Sequence, residues 1–256
     1  MALFEPPIAL SGHLPAGATP FRLRLTTEFQ LLADSTPIRL PHSAERIVSF
    51  LALARAPVTR STLAGTLWPD VSENRANGDL RSTLWRLRRV APIVPPYDDR
   101  VFLTNNVAVD LVDLTDLTRE ILDGPTRSTL ARLPELIAGA GVLPSWDEEW
   151  LIVDRERYRA LRLHALEHAA TALLDMGDIP GALQATLAAI TTEPLRESSH
   201  RLLVRIHLAE GNLAEASRAY RAYRTLMMDE LGIEPSSLME ELAFKFRGAA
   251  PRRANG

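Results

Sequence analysis

The sequence predicts a mainly α-helical protein with a small β component, organised as two parts in chain order. Apolar and charged residues alternate with the period of a β-strand near residue 21, and helical periodicity takes over from about residue 44. In the second half, glycine and alanine recur at an offset of 34 residues, which is typical of stacked helix pairs. The expected fold is therefore a small domain with strands followed by a helical array.

The composition of the 256 residues is that of a globular protein, with 46% hydrophobic and 24% charged residues. There is no cysteine, which excludes disulfides, thiolate nucleophiles and cysteine-ligated metals. No apolar run approaches the ~20 residues that cross a bilayer. Residues 1–20 lack the basic start and compact apolar core of a signal peptide. We therefore expect a cytoplasmic protein without a membrane partner.

The net charge of −3 hides an asymmetry along the chain. Residues 1–110 carry a net charge of +2, residues 111–256 carry −5, and the short stretch 75–89 carries +4. Charge asymmetry between halves indicates separate tasks.

Three strands and two helices are expected before residue 70. Residues 21–25 alternate apolar and charged side chains, and further strands are expected near Leu31 and Ile38, on either side of the turn cluster 34–37. A helix with one apolar stripe ends before Pro57, and a short helix over about 61–67 points two leucines inward. The expected inward residues are Ala44, Ile47, Val48, Leu51, Ala54, Leu63 and Leu67.

A longer third helix is predicted from about Glu73 to Val90, with Ser72 as its N-cap. At 100° per residue, three leucines form a narrow buried stripe and the arginines surround the opposite face. The helix is about 25 Å long, enough to lie in a major groove about 12 Å wide. The stripe is Leu80, Leu84 and Leu87; opposite it lie Gly78, Ser82, Trp85 and Arg89, with Arg75 and Arg86 beside them and Arg81 and Arg88 on one flank.

A β-hairpin is predicted after this helix, because residues 101–104 and 107–109 are mainly apolar and flank Asn105-Asn106, a pair that tolerates positive φ. Strands, two short helices, a long helix and a hairpin follow the order of a winged helix-turn-helix domain. In such a domain the second helix of the turn motif enters the groove and the hairpin contacts phosphates.

The repeat in the second half has the tetratricopeptide period. Gly177 and Gly211, and likewise Ala182 and Ala216, are 34 residues apart. Arrays of this type usually hold another protein or domain. The expected helices are 147–176, 180–191, 196–210 and 213–230, with an earlier pair near 113–122 and 127–138.

One sequence motif is typical of zinc-dependent hydrolases. His164-Ala165-Leu166-Glu167-His168 matches the inverted zincin pattern H-x-x-E-H, in which two histidines one turn apart bind zinc and the glutamate is the general base. No third ligand is evident, and phosphate-binding loop and nucleophile-elbow motifs are absent. We therefore expect no enzyme, metal or cofactor, and zinc hydrolysis through His164, Glu167 and His168 is the least favoured alternative.

Seven segments form two sets of motifs, one in each half of the chain. The first set is Phe21-Arg22-Leu23, Ala64-Gly65-Thr66-Leu67-Trp68-Pro69-Asp70 and residues 79–89. The second set is 150–165, Pro194-Leu195-Arg196-Glu197-Ser198, Ala209-Glu210-Gly211-Asn212 and Asp229-Glu230-Leu231-Gly232-Ile233-Glu234-Pro235. Over about residues 21–243 these segments resemble the Streptomyces antibiotic regulatory protein family: the first set looks like its DNA-binding domain and the second like its bacterial transcriptional activator domain.

The resemblance implies an OmpR-like winged helix followed by tetratricopeptide-type helices. It also implies activation of transcription, often of secondary-metabolite gene clusters, through direct repeats near the −35 element and recruitment of RNA polymerase. Homodimers or tandem protomers on repeated sites would raise the effective concentration. We expect the chain to depart from the family in about 20 additional residues before the first strand and in the lack of an ATPase or sensor domain after the array. The expected domains are a flexible tail 1–20, a winged helix 21–110, an activator domain 111–246 and a flexible tail 247–256.

Carried onto this sequence, the recognition helix is 73–90. Ser82, Arg86 and Arg89 would face the groove, and both arginines suit bidentate contact with guanine. Arg75, Arg81, Arg88 and Arg100 would position the DNA backbone. Trp85 would either contact the DNA or be buried. Arg100 and Asn105 would belong to the wing, which is poor in basic residues.

Two alternative functions stay open: a protein-interaction adaptor that does not bind DNA, and a ligand-sensing activator.

Overall fold

The computed structural model describes residues 21–96 and 99–247, where the chain is mainly helical with a small sheet, as predicted. No helix in these ranges has both the length and the apolar composition that would let it cross a membrane. The strands are β1 (Phe21–Arg24), β2 (Gln30–Ala33), β3 (Thr36–Ile38), β4 (Val58–Thr59), β5 (Arg100–Val101) and β6 (Val107–Val109). The helices are α1 (His42–Ala54), α2 (Arg60–Leu67), α3 (Glu73–Val90), α4 (Asp110–Asp123), α5 (Arg127–Ala131), α6 (Leu133–Ala138), α7 (Ile152–Asp175), α8 (Ile179–Thr192), α9 (Glu197–Ala209), α10 (Leu213–Leu231) and α11 (Ser237–Arg247).

The described chain divides into two compact units, 21–113 with 141–156 and 114–140 with 157–247. Residues 141–156, which the sequence assigns to the helical half, belong to the first unit. Two backbone hydrogen bonds hold this segment there, because the Gly141 amide donates to the Thr26 carbonyl at 3.0 Å and the Leu143 amide to the Leu25 carbonyl at 2.8 Å. The predicted tails 1–20 and 247–256 lie outside the described residues, except Arg247, which ends α11.

A four-stranded sheet in the order β3-β2-β1-β6 forms one side of the first unit. Strands β1, β2 and β3 are antiparallel neighbours. The turn between β2 and β3 places Asp34 and Ser35 at φ 45° and 70°, the two positive values that a tight type I′ hairpin requires. Alternation along β1 buries Phe21 and Leu23 on one face and exposes Arg22 and Arg24 on the other.

The predicted hairpin between residues 101–104 and 107–109 is wrong, although the turn exists. The Val107 amide donates to the Thr104 carbonyl at 3.2 Å, which closes the turn around Asn105-Asn106. However, β5 pairs with β4, and β6 adds to β1 in parallel. Each flanking segment thus pairs with a strand that is distant in the sequence.

Helices α1, α2 and α3 pack together in the first unit, and α3 begins and ends where the sequence predicts. The predicted inward residues are buried except Ala54, which is exposed at the end of α1. Ser72 occupies the N-cap position with extended backbone, but its side chain makes no capping hydrogen bond. The start of α3 is therefore set by the extended backbone at Ser72 and by the burial of the apolar side chains of the helix, and not by a side-chain cap.

In the second unit, residues 34 apart take the same conformation. Gly177 and Gly211 have φ of 78° and 73°, so each supplies the left-handed residue that ends a helix. Asp178 and Asn212 follow and cap α8 and α10 with their side chains. Helix α9 packs against both α8 and α10.

Two features of this unit differ from the expectation. The helix predicted over 127–138 is divided at Arg132 into α5 and α6, and Pro134 lies in the first turn of α6, where its missing amide costs nothing. Helix α11 was not predicted. It buries Met239 and Ala243 in a cluster with Val204, Tyr220 and Tyr223, so this apolar face closes the core of the last repeat.

We expect the Asp178→Ala change to lower the free energy of unfolding by about 1 kcal/mol, because the Gly181 amide loses its carboxylate acceptor, 3.1 Å away. Urea unfolding followed by far-ultraviolet circular dichroism measures the change. Asp175→Ala is the matched control, because Asp175 lies in the last turn of α7, where a negative charge opposes the helix dipole. Equal losses in both variants would contradict the capping role.

Candidate nucleic-acid interface

Helix α3 presents one buried face and one exposed face. The buried face carries Leu80, Leu84 and Leu87, each 1% exposed, together with Ala76 and Thr83. These residues occupy less than half of the helix circumference at 100° per residue. Because the leucines fix the rotation of α3, they also fix which side chains point outward.

The outward face collects six of the predicted site residues. Trp85 lies near its centre and is 58% exposed, so the buried placement is wrong and the DNA contact stays a prediction. The other five are also exposed, and four of them are arginines. An exposed arginine-rich face around an aromatic residue has the donor and charge complement of a DNA surface. The residues around Trp85 are Arg75, Arg81, Ser82, Arg86 and Arg89.

Trp85 and Arg89 contact each other on this face. The central guanidinium carbon of Arg89 lies 4.8 Å from the centroid of the Trp85 ring, within cation–π distance. Such a contact contributes about 0.5–1 kcal/mol at an exposed site. The indole therefore restricts the orientation of the Arg89 guanidinium without using its hydrogen-bond donors.

Ser82 lies on the same face, and its hydroxyl group already donates a hydrogen bond within the helix. Its hydroxyl donates to the Asp79 carbonyl at 3.0 Å. A hydroxyl oxygen has two lone pairs, so Ser82 remains able to accept a hydrogen bond.

Arg88 does not join this face. It is half-buried, and its guanidinium donates to the Pro95 carbonyl at 2.5 Å, in the segment that follows α3. Arg88 thus binds the chain's own backbone, and its guanidinium is turned away from the exposed face of α3.

Arg100 and Asn105 lie on other elements. Arg100 is on β5, directly across from Thr59, whose side chain caps α2 by accepting from the Thr62 amide at 3.2 Å. Asn105 is exposed in the turn that precedes β6. Because β5 and β6 do not pair with each other, these residues do not share a hairpin wing.

A shallow apolar groove of about 350 Å³ adjoins Trp85, and the sequence interpretation missed it. Leu40, Pro41 and Ala44 supply one side of the groove, while Trp85 and Val90 belong to α3. Only the tertiary fold brings the start of α1 to the end of α3, so no local pattern signals the groove.

Glu167 of the H-x-x-E-H motif has a structural role. Its carboxylate accepts two hydrogen bonds from the Arg196 guanidinium, each 2.9 Å long, and others from Ser198 and from Ser199 at 2.8 Å. Burial alone would raise the pKa of Glu167, but these donors hold the pKa below its ordinary value.

The same guanidinium approaches the first histidine of the motif, with 3.5 Å between the Arg196 terminal nitrogen and the His164 Nδ1 atom. A cation beside this nitrogen opposes the binding of a zinc ion there. In the described ranges, no three histidine or carboxylate side chains are grouped so that they could hold a metal. The geometry therefore favours a link between α7 and α9 over a zinc site.

Arg162, on α7, contacts both α6 and α8 in the second, helical unit. It is 5% exposed, and it donates to the carbonyls of Leu136 at 2.9 Å and Ile137 at 3.1 Å and to the Thr192 hydroxyl. Burial lowers the pKa of this guanidinium from its ordinary value. Arg162 satisfies carbonyls at the end of α6, which would otherwise lack partners.

The 229–235 segment also holds the helical unit together. Gly232 ends α10 at φ 67°, and Glu234 accepts two hydrogen bonds from the Arg224 guanidinium at 2.6 Å. The Ser236 amide then donates to the Glu197 carboxylate at 2.8 Å. These contacts attach the start of α11 to α9.

Comparisons with known proteins agree with the family resemblance. Residues 135–247 match the model of the bacterial transcriptional activator domain. The chain is 27% identical over 226 residues to the regulatory protein AfsR of Streptomyces coelicolor, and 25% identical over 213 residues to AfsR of Streptomyces griseus. These matches cover 84% and 79% of this chain but only 23% and 22% of the relatives. The chain thus spans less than a quarter of the length of either relative.

The fold is similar to that of Mycobacterium tuberculosis EmbR, solved in complex with a low-affinity phosphopeptide. The TM-score is 0.71 at 18% identity, over 92% of this chain and 67% of the EmbR chain. At this identity the likeness concerns the fold alone. The matching domain and the similarity to AfsR support a protein of the Streptomyces antibiotic regulatory protein type, with a bacterial transcriptional activator domain over residues 135–247.

Proposed function

We propose that the chain activates transcription by binding double-stranded DNA through the exposed face of α3. In this proposal, residues 21–110 form an OmpR-like winged helix and α3 is its recognition helix. Arg86 and Arg89 contact guanine edges, while Arg75 and Arg81 contact phosphates. The observation that carries the proposal is the exposed arginine-rich face of α3 around Trp85.

The helical unit, in this proposal, is of the tetratricopeptide type and contacts RNA polymerase or another protein. Its outward apolar side chains near the end of α10 and in α11 support a protein partner, since Ile233, Leu238 and Phe244 are 50%, 55% and 75% exposed. Two or more protomers on direct repeats near a promoter would raise the local concentration of each. The site of action is the cytoplasm, where bacterial DNA and polymerase are found.

Selection of bound duplexes from a random DNA pool, at stated salt concentration, tests the proposal. We expect the full chain to enrich a defined sequence and to bind it more tightly than a scrambled duplex. The adaptor alternative predicts no enrichment and no shift of a labelled duplex in a gel. Either result decides between a DNA-binding activator and a protein that acts only through its helical unit.

We expect Arg81→Ala to weaken binding to all duplexes alike and to lower the slope of log K against log salt by about one. Arg81 is exposed on the flank of the α3 face, and a phosphate contact carries charge but no sequence information. Titrations at several salt concentrations, with the selected and a scrambled duplex, measure both quantities.

Arg22→Ala is the matched control for Arg81→Ala, because Arg22 is exposed on the outer face of the β-sheet in the same unit. The control is expected to leave the salt slope unchanged. A loss in Arg81→Ala that is confined to the selected duplex would assign Arg81 to base recognition.

A further inference from the structure

The central position of Trp85 on the α3 face requires an explanation beyond charge. Arginines alone would suffice to bind phosphates and guanine edges, yet a large indole lies 58% exposed among them. Contiguous apolar surface that is exposed indicates contact with a partner, and the indole adjoins the apolar groove that Leu40 and Val90 line. The inference drawn from this exposed indole rests on the proposed DNA-binding function and extends it.

The major groove contains one apolar group that an exposed side chain can contact, the C5 methyl of thymine. Guanine, cytosine and adenine present hydrogen-bond donors and acceptors there. Because an indole offers a single N–H donor and a broad apolar surface, it is suited to the methyl group and poorly suited to the other edges.

Arg89 restricts where this thymine would lie. Its guanidinium is 4.8 Å from the Trp85 ring centroid, and successive bases of one strand are about 3.4 Å apart along the helix axis. The base contacted by Trp85 and the guanine contacted by Arg89 are therefore neighbours or are separated by a single base pair.

We infer that Trp85 is a specificity-determining residue that recognises the C5 methyl of a thymine within two base pairs of the guanine contacted by Arg89. The indole packs against the methyl group, and the stacked guanidinium of Arg89 completes a recognition pair for a thymine and a guanine. Sequence preference at the thymine thus depends on a methyl contact, and preference at the guanine on hydrogen bonds.

Replacing thymine with deoxyuridine tests this inference, since deoxyuridine lacks only the methyl group and still pairs with adenine. The probes are the duplex selected by the full-length wild-type chain and copies in which each thymine is replaced in turn. For the wild type, we expect a three- to fivefold loss of affinity at one thymine per bound protomer, about the value of one buried methyl group. The same replacement is expected to have no effect on the affinity of Trp85→Ala.

Two further variants complete the experiment. Trp85→Phe keeps an apolar ring and is expected to keep part of the sensitivity to deoxyuridine. Val90→Ala removes another exposed apolar side chain of α3, which lines the same apolar groove but lies about 140° around the helix from Trp85, and is expected to retain the full wild-type sensitivity. Circular dichroism of each variant checks that it is folded.

The outcomes separate the inference from the proposed function. If the wild type selects a duplex but no deoxyuridine matters, or if Trp85→Ala keeps the wild-type sensitivity, the inference is overturned while DNA binding stands. In that case the indole serves another partner, such as a protein seated on the adjoining apolar groove. If no duplex is selected at all, the proposed function and the inference fall together.

Discussion

Replacing both Arg86 and Arg89 with alanine is expected to remove most of the preference for the selected duplex over a scrambled one. Each bidentate contact with guanine contributes about 1–3 kcal/mol of discrimination, a factor of about 5 to 150. The double variant keeps the exposed Arg75 and Arg81, so weak binding to any duplex is expected to persist. Competition titrations with single-base variants of the duplex measure the loss.

The single variants show which base each arginine recognises. Arg86→Ala is expected to relax the preference at one base pair and Arg89→Ala at another. Arg86→Lys keeps the positive charge but lacks the planar fork, so we expect it to preserve the salt slope while losing much of the discrimination. Footprints and preferences that stay unchanged in both alanine variants would remove these arginines from the proposed recognition.

Replacing Glu167 with glutamine is expected to destabilise the helical unit by about 2–4 kcal/mol. The half-buried Arg196 guanidinium loses its ion pair and faces an amide NH2 donor in place of one carboxylate oxygen, while the serine hydroxyls keep the amide oxygen as their acceptor. Glu193→Gln is the matched control, because its ion pair with Arg159 is more exposed and is expected to contribute less than about 1 kcal/mol. Urea unfolding followed by circular dichroism measures both variants.

Tryptophan fluorescence adds a second readout. All four tryptophans, Trp68, Trp85, Trp146 and Trp150, lie in the first unit, so their emission reports on that unit alone. If the units unfold independently, Glu167→Gln shifts the circular dichroism transition and leaves the fluorescence transition in place. A stability equal to that of the wild type would contradict the structural role of Glu167.

The pH dependence of the Glu167 contribution follows from its lowered pKa. Because the pKa in the folded protein lies below the unfolded value near 4.5, the folded state binds fewer protons between the two values. The contribution is complete above pH 4.5 and is lost as the pH falls through the folded pKa. The difference in stability between the wild type and Glu167→Gln is therefore expected to be greatest near neutral pH and to shrink in acid.

Local periodicity predicted the bounds of helix α3 and the 34-residue spacing of the helix ends in the second unit with good precision. The bounds of α3, its leucine stripe and its exposed arginines follow from a pattern contained in 18 residues. The glycines at 177 and 211 likewise mark the ends of helices, because positive φ is a local requirement. Helix α11 was missed, although residues 238–243 have apolar side chains at helical spacing.

The hydrogen-bond partners of long charged side chains could not be predicted from local periodicity. Arg88 and Arg86 are two residues apart on one helix, yet the first donates to the Pro95 carbonyl and the second is exposed. Glu167 lies in a sequence motif for zinc but accepts its hydrogen bonds from residues about 30 positions away. Such partners are set by the three-dimensional arrangement of separate helices.

By itself, the sequence determined the helical character of the chain, the two faces of α3 and the 34-residue repeat, because each depends on neighbours within a few turns of the backbone. The tertiary structure alone decided that β5 pairs with β4, that β6 joins β1, that residues 141–156 belong to the first unit and that Trp85 is exposed. Strand partners and side-chain burial depend on contacts between distant segments, and a period along the chain carries no information about which segments meet.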